Sequence, residues 1–293
     1  MQKFLRLSLI VAVTLSCSWQ TRVARSAGSS PKLPLDIPMK IDGGMPTVEV
    51  MVNGKGPFVF GVDTGAQGGA RIDSTLMEKL ALKPSGHVRA TDGSGRNPQM
   101  VERVMLESVE VGGLRFADVM AGSRNYRKSP RPLDIDGILG LSVFSEYLVT
   151  LDYPAKVLRI EKGELPKADG AEILDYKSKG GIPLLEMSVG GTKIDAHLDS
   201  GNMIGAFVLP TAFAEKLARV SEPVVVGRAR SASGEMEVKQ VQVKDVIRLG
   251  RHEFPDPTIT FPALSEIGNV GAKTLNQFVI TFDQQNERVR LKR

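Results

Sequence analysis

The feature that most constrains the fold of this 293-residue chain is a repeat: two stretches separated by about 130 residues follow the same plan. Residues 45–54 alternate in polarity, end in Asn53-Gly54, and lead into residues 57–66. Residues 182–191 end in Gly190-Gly191 and lead into residues 192–202. Period-two alternation around such a pair predicts a β-hairpin in each copy, and the two hairpins differ by one residue of slack at the turn. Helix-like segments follow at residues 74–80 and 211–217, both ending in Glu-Lys-Leu. Each copy then runs through a Gly/Ser-containing loop and more alternating strands to a closing segment, residues 140–160 and 271–291, which align without a gap. Solenoid repeats are about 20–50 residues long, so this period predicts duplication of one small β domain. Two such lobes in one chain pack about an approximate two-fold axis, which brings equivalent loops face to face. A chemistry that needs a pair of identical groups would sit on that axis.

Composition agrees with many short strands joined by tight turns: 30 Gly and 17 Pro against only 5% aromatic residues. The 42% of hydrophobic residues excludes a disordered chain. The net charge of +5 misleads, because Lys3, Arg6, Arg22 and Arg25 lie in the first 26 residues, which hold no acidic residue. The rest is nearly neutral and has no basic run, which argues against nucleic acid or an anionic membrane surface as the main partner. Cys17, the one cysteine, also lies in this leader, so the body has no disulfide, thiolate metal site or cysteine nucleophile. A cationic start, an apolar stretch at residues 7–15 and small residues after it predict a secretory signal cleaved after Ser26, and hence a periplasmic protein. The apolar stretch is short of the ~20 residues that span a bilayer, so no membrane span is required. A lipoprotein attached through Cys17 or an uncleaved N-terminal anchor are the alternatives. The expected organisation is a signal at residues 1–26, a flexible segment at 27–39, a first lobe at 40–161, a linker at 162–170 carrying Gly163 and Pro166, and a second lobe at 171–293.

At equivalent points of the repeat stand Val62-Asp63-Thr64-Gly65-Ala66 and Leu198-Asp199-Ser200-Gly201-Asn202. The first copy adds Ile138-Leu139-Gly140 and a Leu-Val-Thr-Leu-Asp-Tyr-Pro closer at residues 148–154. On these residues the chain, over about positions 39–293, resembles the retropepsin-like aspartic proteases in their bacterial exported form with two fused copies. One Asp-Thr/Ser-Gly element is a weak signal, and an Asx-type turn at a strand end explains it equally. Two in register within a duplicated β unit are a strong one.

The resemblance implies a mainly β fold of two tandem acid-protease β-barrel lobes, a single-chain pseudo-dimer that works as a monomer. It implies that Asp63 and Asp199 are catalytic, that the Thr64 and Ser200 hydroxyls tie the two loops together, and that Gly65 and Gly201 let backbone N–H groups approach the carboxylates. Hydrolysis without metal or covalent nucleophile needs a base to activate water and an acid for the carbonyl oxygen and the leaving amine. Two carboxylates about 3 Å apart cannot both ionise easily, so they share a proton and serve as both, for which aspartic proteases are the standard example. Asn202 departs from the small residue usual at that place in the family.

Residues 89–96 and 228–235 occupy the positions of the family's flaps, where Gly93, Ser94, Gly95, Ser233 and Gly234 would bend over a substrate; ordinary hairpin turns are the alternative. His197, two residues before Asp199, falls at a subsite position whose counterpart is Gly61, and a purely structural histidine is the other reading. Ala66 and Asn202 flank the cleft in the same way. An extended peptide would bind as an added strand. The sequence holds no His-Glu-x-x-His, Gly-x-Ser-x-Gly or phosphate-loop pattern, so neither metal nor cofactor is expected. The expected activity is that of an aspartic endopeptidase acting on exported or periplasmic peptides and proteins. A catalytically inactive peptide-binding module is the alternative. A scaffold, third, would hold the two carboxylates too far apart to share a proton.

Overall fold

The computed structural model describes residues 31–90, 99–128, 132–231, 234–261 and 267–293, and it is mainly β, with helices of no more than six residues. Both expected hairpins form. Strands Met45–Val52 and Lys55–Asp63 turn through Asn53 and Gly54 at φ 50° and 73°, while Ile182–Val189 and Thr192–Asp199 turn through Gly190 and Gly191 at 56° and 83°. The residue of slack is a bulge. Register shifts between the pairs Val50↔Phe58 and Val52↔Lys55, and Gly56 takes the extra place at φ 143°, where a Cβ would lie 2.9 Å from the Val50 carbonyl.

Around these hairpins the two halves build related sheets. The first has eight strands in the spatial order Lys40–Asp42, Met45–Val52, Lys55–Asp63, Gly137–Gly140, Ala70–Asp73, Leu114–Arg124, Gln99–Val111 and Gly86–Ala90. Met45–Val52 also pairs with Gln99–Val111, so this sheet returns on itself. In the second, ten-stranded sheet the corresponding contacts recur. Thr192–Asp199 runs parallel to Gly268–Gly271, as Lys55–Asp63 does to Gly137–Gly140. Phe207–Val208 lies antiparallel to Gly268–Gly271, as Ala70–Asp73 does to Gly137–Gly140.

A third sheet of six strands joins the halves. Leu148–Asp152 pairs antiparallel with Val279–Asp283, with Leu148 opposite Asp283 and Asp152 opposite Val279. Because 148 and 279 are equivalent positions of the closing segments, as are 152 and 283, this pairing is symmetric about Thr150 and Thr281. Their hydroxyls meet at 2.9 Å, and an approximate two-fold axis passes between them. A contiguous apolar core runs through both halves, with Phe60, Leu139, Val149 and Leu151 from one and Leu198, Val270, Ile280 and Phe282 from the other.

Local details depart from strict repetition. Helix Ser74–Lys79 starts where the Asp73 carboxylate accepts from the Thr75 N–H at 2.9 Å. Its counterpart Thr211–Ala214 follows Pro210, has no side-chain cap and stops after one turn. Within residues 27–39, expected to be flexible, Leu35–Pro38 forms a strand against Val157–Glu161 because Ile37 is buried there, at 4% exposure. The 162–170 connection is anchored as well: Leu165 is buried, its N–H donates to the Asp283 carboxylate at 2.9 Å, and its carbonyl accepts from Arg288 at 2.9 Å. The predicted signal, residues 1–26, lies outside the described residues. Among those described, no helix is long and apolar enough to cross a membrane.

Candidate active site

Asp63 and Asp199 each end the second strand of a hairpin, and the parallel neighbours Gly140 and Gly271 stop beside them. The chain must turn sharply at that point, and both turns carry the same sequence logic. Gly65 N–H donates to Asp63 Oδ1 at 2.9 Å, and Gly201 N–H donates to Asp199 Oδ1 at 3.0 Å. Each loop also grips the other. Thr64 Oγ1 donates to the Leu198 carbonyl at 2.6 Å and accepts from the Ser200 N–H at 3.0 Å. Ser200 Oγ donates to the Val62 carbonyl at 2.7 Å and accepts from the Thr64 N–H at 2.8 Å. Thr64 and Ser200 are 1% and 0% exposed, so these four bonds are made away from water, where unmade partners would be costly.

This grip sets the two carboxyl groups against each other, close enough that the ionisation of one bears on the other. The glycines are required by that closeness: a Cβ on Gly65 would lie 2.5 Å from Asp199 Cγ, and one on Gly201 would lie 2.5 Å from Asp63 Cγ. Burial first, and then the neighbouring Asp199 charge, push the Asp63 carboxyl up to about 7, against the lowering influence of Arg71 and the Gly65 N–H. Asp199 is raised by burial too, but donors from Asn269, Gly201 and Asn202 pull it back. The pair therefore holds a proton well above the usual carboxylate range.

The two sides of the pair differ. Beside Asp63 lies an apolar cluster of Met45, Ala66, Tyr126, Ile135 and Ile138, against which Met203 from the other half packs. Gly61, expected to line a subsite, faces Met45, whose sulfur occupies the place a side chain there would take. Beside Asp199 the surroundings are polar. Asn202 Nδ2 donates to Asn269 Oδ1 at 2.6 Å, and Asn269 Nδ2 donates to Asp199 Oδ2 at 2.7 Å. Asn202 thus leaves the Gly201–Asp199 bond intact. His197 is half-buried and pairs across the strands with Leu184 and Asn269. Burial, then the Lys179 charge, hold its pKa below the ordinary value. Tyr126 lies near Arg71 and Asp63, Tyr153 near Ser200 and Asp199, and both hydroxyls are buried without a well-formed hydrogen bond.

Of the flap positions, Gly234 pairs with Ser231 at the end of the hairpin made by Val224–Ser231 and Gly234–Gln242. Gly93, Ser94, Gly95 and Ser233 lie outside the described residues. Among those described, no cluster of three or more His, Cys, Asp or Glu side chains is placed to hold a metal ion. Asn269, Arg71, Tyr126, Tyr153, Met45 and Met203 are site neighbours that sequence reasoning missed. For Asn269 the signal was present: aligning Ile138-Leu139-Gly140 with Asn269-Val270-Gly271 exposes an amide where the first copy has an aliphatic side chain.

Residues 48–143 match a family model described as aspartyl protease. The match spans the Asp63 loop and the Gly137–Gly140 strand, and it supports a protease-type hydrolase. No curated protein matches the chain.

Proposed function

We propose that the chain is an aspartic endopeptidase in which Asp63 and Asp199 activate water between two fused, related lobes, residues 40–161 and 171–293. The observation that carries this reading is the pair of carboxyl groups set against each other by the reciprocal Thr64 and Ser200 bonds. A pair that shares one proton holds a base and an acid at once. The ionised carboxylate takes a proton from water as the oxygen attacks the scissile carbonyl, and the protonated partner gives its proton to the carbonyl oxygen. The resulting diol collapses when the proton taken from water passes to the leaving nitrogen, the C–N bond breaks, and one diol hydroxyl returns its proton to the carboxylate that gave one up, leaving a carboxylic acid, an amine and a singly protonated pair. Asp63, Asp199 and their supports Thr64, Gly65, Ser200 and Gly201 are the working residues of this proposal, with Gly61, Ala66, His197 and Asn202 flanking the substrate.

An extended peptide would lie across the pair as an added strand, its backbone supplying affinity and its side chains entering unlike subsites, apolar beside Asp63 and polar beside Asp199. The substrates we propose are exported or periplasmic peptides and proteins, reached after removal of residues 1–26, and the fused pair needs no second chain. The alternative of a catalytically inactive binding module rests on Asn202, and the Gly201–Asp199 bond at 3.0 Å supports the protease reading over it.

The test is cleavage of a diverse peptide pool by purified residues 27–293 across about pH 3 to 8, with Asp63→Asn alongside. Cuts made by the wild type and absent from Asp63→Asn are expected. A folded wild-type protein that binds peptides and cuts none at any pH would overturn the protease reading in favour of the binding module.

A further inference from the structure

The two-fold relation between the halves breaks at one point that touches the reacting groups. Ile138 and Asn269 sit at equivalent places on the returning strands, opposite Arg71 and Val208. Ala66 and Asn202 are equivalent in the loops. The first half therefore has two apolar side chains where the second has two amides, and the amides form a chain. Ile204 N–H donates to Asn202 Oδ1 at 2.9 Å, Asn202 Nδ2 to Asn269 Oδ1 at 2.6 Å, and Asn269 Nδ2 to Asp199 Oδ2 at 2.7 Å. A backbone N–H can only donate, so the atom of Asn202 facing it must be the oxygen. Its NH₂ then faces Asn269, whose oxygen must accept, and the NH₂ of Asn269 is left to face Asp199. The polarity of the whole chain follows from one backbone group, whichever way either amide is first drawn.

We propose that Asn269 is a positioning residue that makes Asp199 the ionised member of the pair and leaves the shared proton on Asp63, with Asn202 fixing the direction of the Asn269 amide. The catalytic consequence, that Asp199 is the base and Asp63 the acid, rests on the protease reading above. Both oxygens of Asp199 accept from donors, Oδ1 from Gly201 N–H and Oδ2 from Asn269, which favours its charged form. At the place corresponding to Asn269, Ile138 offers Asp63 no donor. The other groups facing the pair are few. Arg71 favours ionised Asp63, through space and from a half-buried position. Tyr126 stands near Asp63, and Tyr153 near both carboxyls. His197, on the Asp199 strand, is held toward its neutral form by burial and Lys179. Arg71 acts without a short contact to Asp63, whereas Asn269 bonds Asp199 directly, at 2.7 Å in a partly buried site.

The test follows the aspartate carboxyl ¹³C signals of residues 27–293 through a pH titration, with Asp63→Asn and Asp199→Asn assigning the pair, while cleavage is measured across the same pH range. Asn269→Ile, which copies the first half, should raise the lower apparent pKa of the pair by about 1 unit. The acid limb of the cleavage profile should move with it, and the basic limb should stay. Asn202→Ala, which copies Ala66, should give a smaller shift in the same direction, because the Asn269 amide is then free to turn over. It also carries the comparison should Asn269→Ile fail to fold. Unmoved carboxyl titrations in the folded variants would overturn the proposal even if the wild type cleaves normally. A wild type that cleaves nothing, yet whose lower pKa rises in Asn269→Ile, would defeat the protease reading and leave the assignment of the proton standing.

Discussion

Replacing Thr64 by valine keeps the side-chain shape and removes one hydroxyl, so it isolates the grip between the halves. That hydroxyl serves two buried backbone groups: it donates to the Leu198 carbonyl at 2.6 Å and accepts from the Ser200 N–H at 3.0 Å. Each buried group left unpaired costs about 1–3 kcal/mol, so Thr64→Val should lose about 2–6 kcal/mol. That is a large part of the ~5–15 kcal/mol by which a typical domain is stable. Ser200→Ala strands the Val62 carbonyl and the Thr64 N–H in the same way. Because the four bonds close one unit, the double variant should cost less than the two single ones together. Thr150 and Thr281 provide the contrast, since their hydroxyls bond each other at 2.9 Å, with Arg290 donating to Thr281 at 3.3 Å from the more open side. Changing both to valine removes both partners at once and should stay within about 1 kcal/mol of wild type. Urea unfolding of residues 27–293 followed by far-ultraviolet circular dichroism is the suitable assay, because the one tryptophan, Trp19, is not among those residues. A Thr64→Val protein as stable as wild type, and cutting peptides as fast, would refute the argument that these bonds hold the pair.

Ordinary contact begins at 3.4 Å, so a methyl at Gly65, 2.5 Å from Asp199 Cγ, must drive that carboxylate back by nearly 1 Å. A displacement of that size costs catalysis about 100-fold, and Gly65→Ala should show it in kcat. Gly122→Ala, whose added carbon meets Val101 at a comfortable 3.5 Å, should change nothing, and equal kcat values for the two variants would sink the idea. The raised Asp63 pKa also makes stability depend on pH. Between the unfolded value of 3.8 and the folded value of about 7, the folded chain keeps a proton that the unfolded chain has released, so stability falls as pH rises through that window. Asp63→Asn removes this loss, and the melting temperature of the variant minus that of wild type should grow from pH 4 to pH 7; a difference that stays flat or shrinks would contradict the raised value. Ile138→Ala widens the apolar wall beside Asp63, and peptide-pool profiling should show larger side chains accepted on one side of the scissile bond only. An unchanged profile would place the cluster of Met45, Ala66 and Tyr126 away from the substrate.

What the sequence makes legible here is what repeats. The Asn53-Gly54 and Gly190-Gly191 turns, the two Asp-Thr/Ser-Gly loops and the aligned closing segments are local patterns read twice, and each copy vouches for the other. The Thr150–Thr281 pairing follows from the same alignment once an axis is assumed. Less legible were contacts made by single residues across the fold. Leu33, Leu35, Ile37 and Met39 alternate with Pro34, Asp36 and Pro38, a period-two signal that the prolines obscure, and Leu35–Pro38 forms a strand on an edge with Ile37 buried. Leu165 and Asp283 are 118 positions apart, and no local rule joins them. Met203 reaches the Asp63 side from the other half, where spacing along either strand gives no hint. The tips at residues 91–98 and 232–233, where Gly93, Ser94, Gly95 and Ser233 would act, are not among the described residues.

The pattern of departures carries its own argument. Positions that hold the halves together keep their chemistry in both copies: hydroxyl for hydroxyl at Thr64 and Ser200, glycine for glycine at Gly65 and Gly201, threonine for threonine at Thr150 and Thr281. Positions on the strands and loops around the carboxyl pair do not. Gly61 answers to His197, Ala66 to Asn202, Ile138 to Asn269 and Arg71 to Val208. A symmetric dimer of one short chain would have to present the same four residues on both sides, and its two carboxylates would be equivalent until a substrate arrived. In the protease reading proposed above, fusion of two copies would remove that constraint. One side would be free to acquire the amides that bond Asp199 while the other kept an apolar wall, and the acid and the base would be told apart before anything binds. If so, reverting Asn202 and Asn269 together to the residues of the first half should bring the two carboxyl titrations closer to each other while leaving the Thr64–Ser200 grip intact. A double variant that folds with its carboxyl pair as unequal as in wild type would show that the asymmetry comes from Arg71 instead.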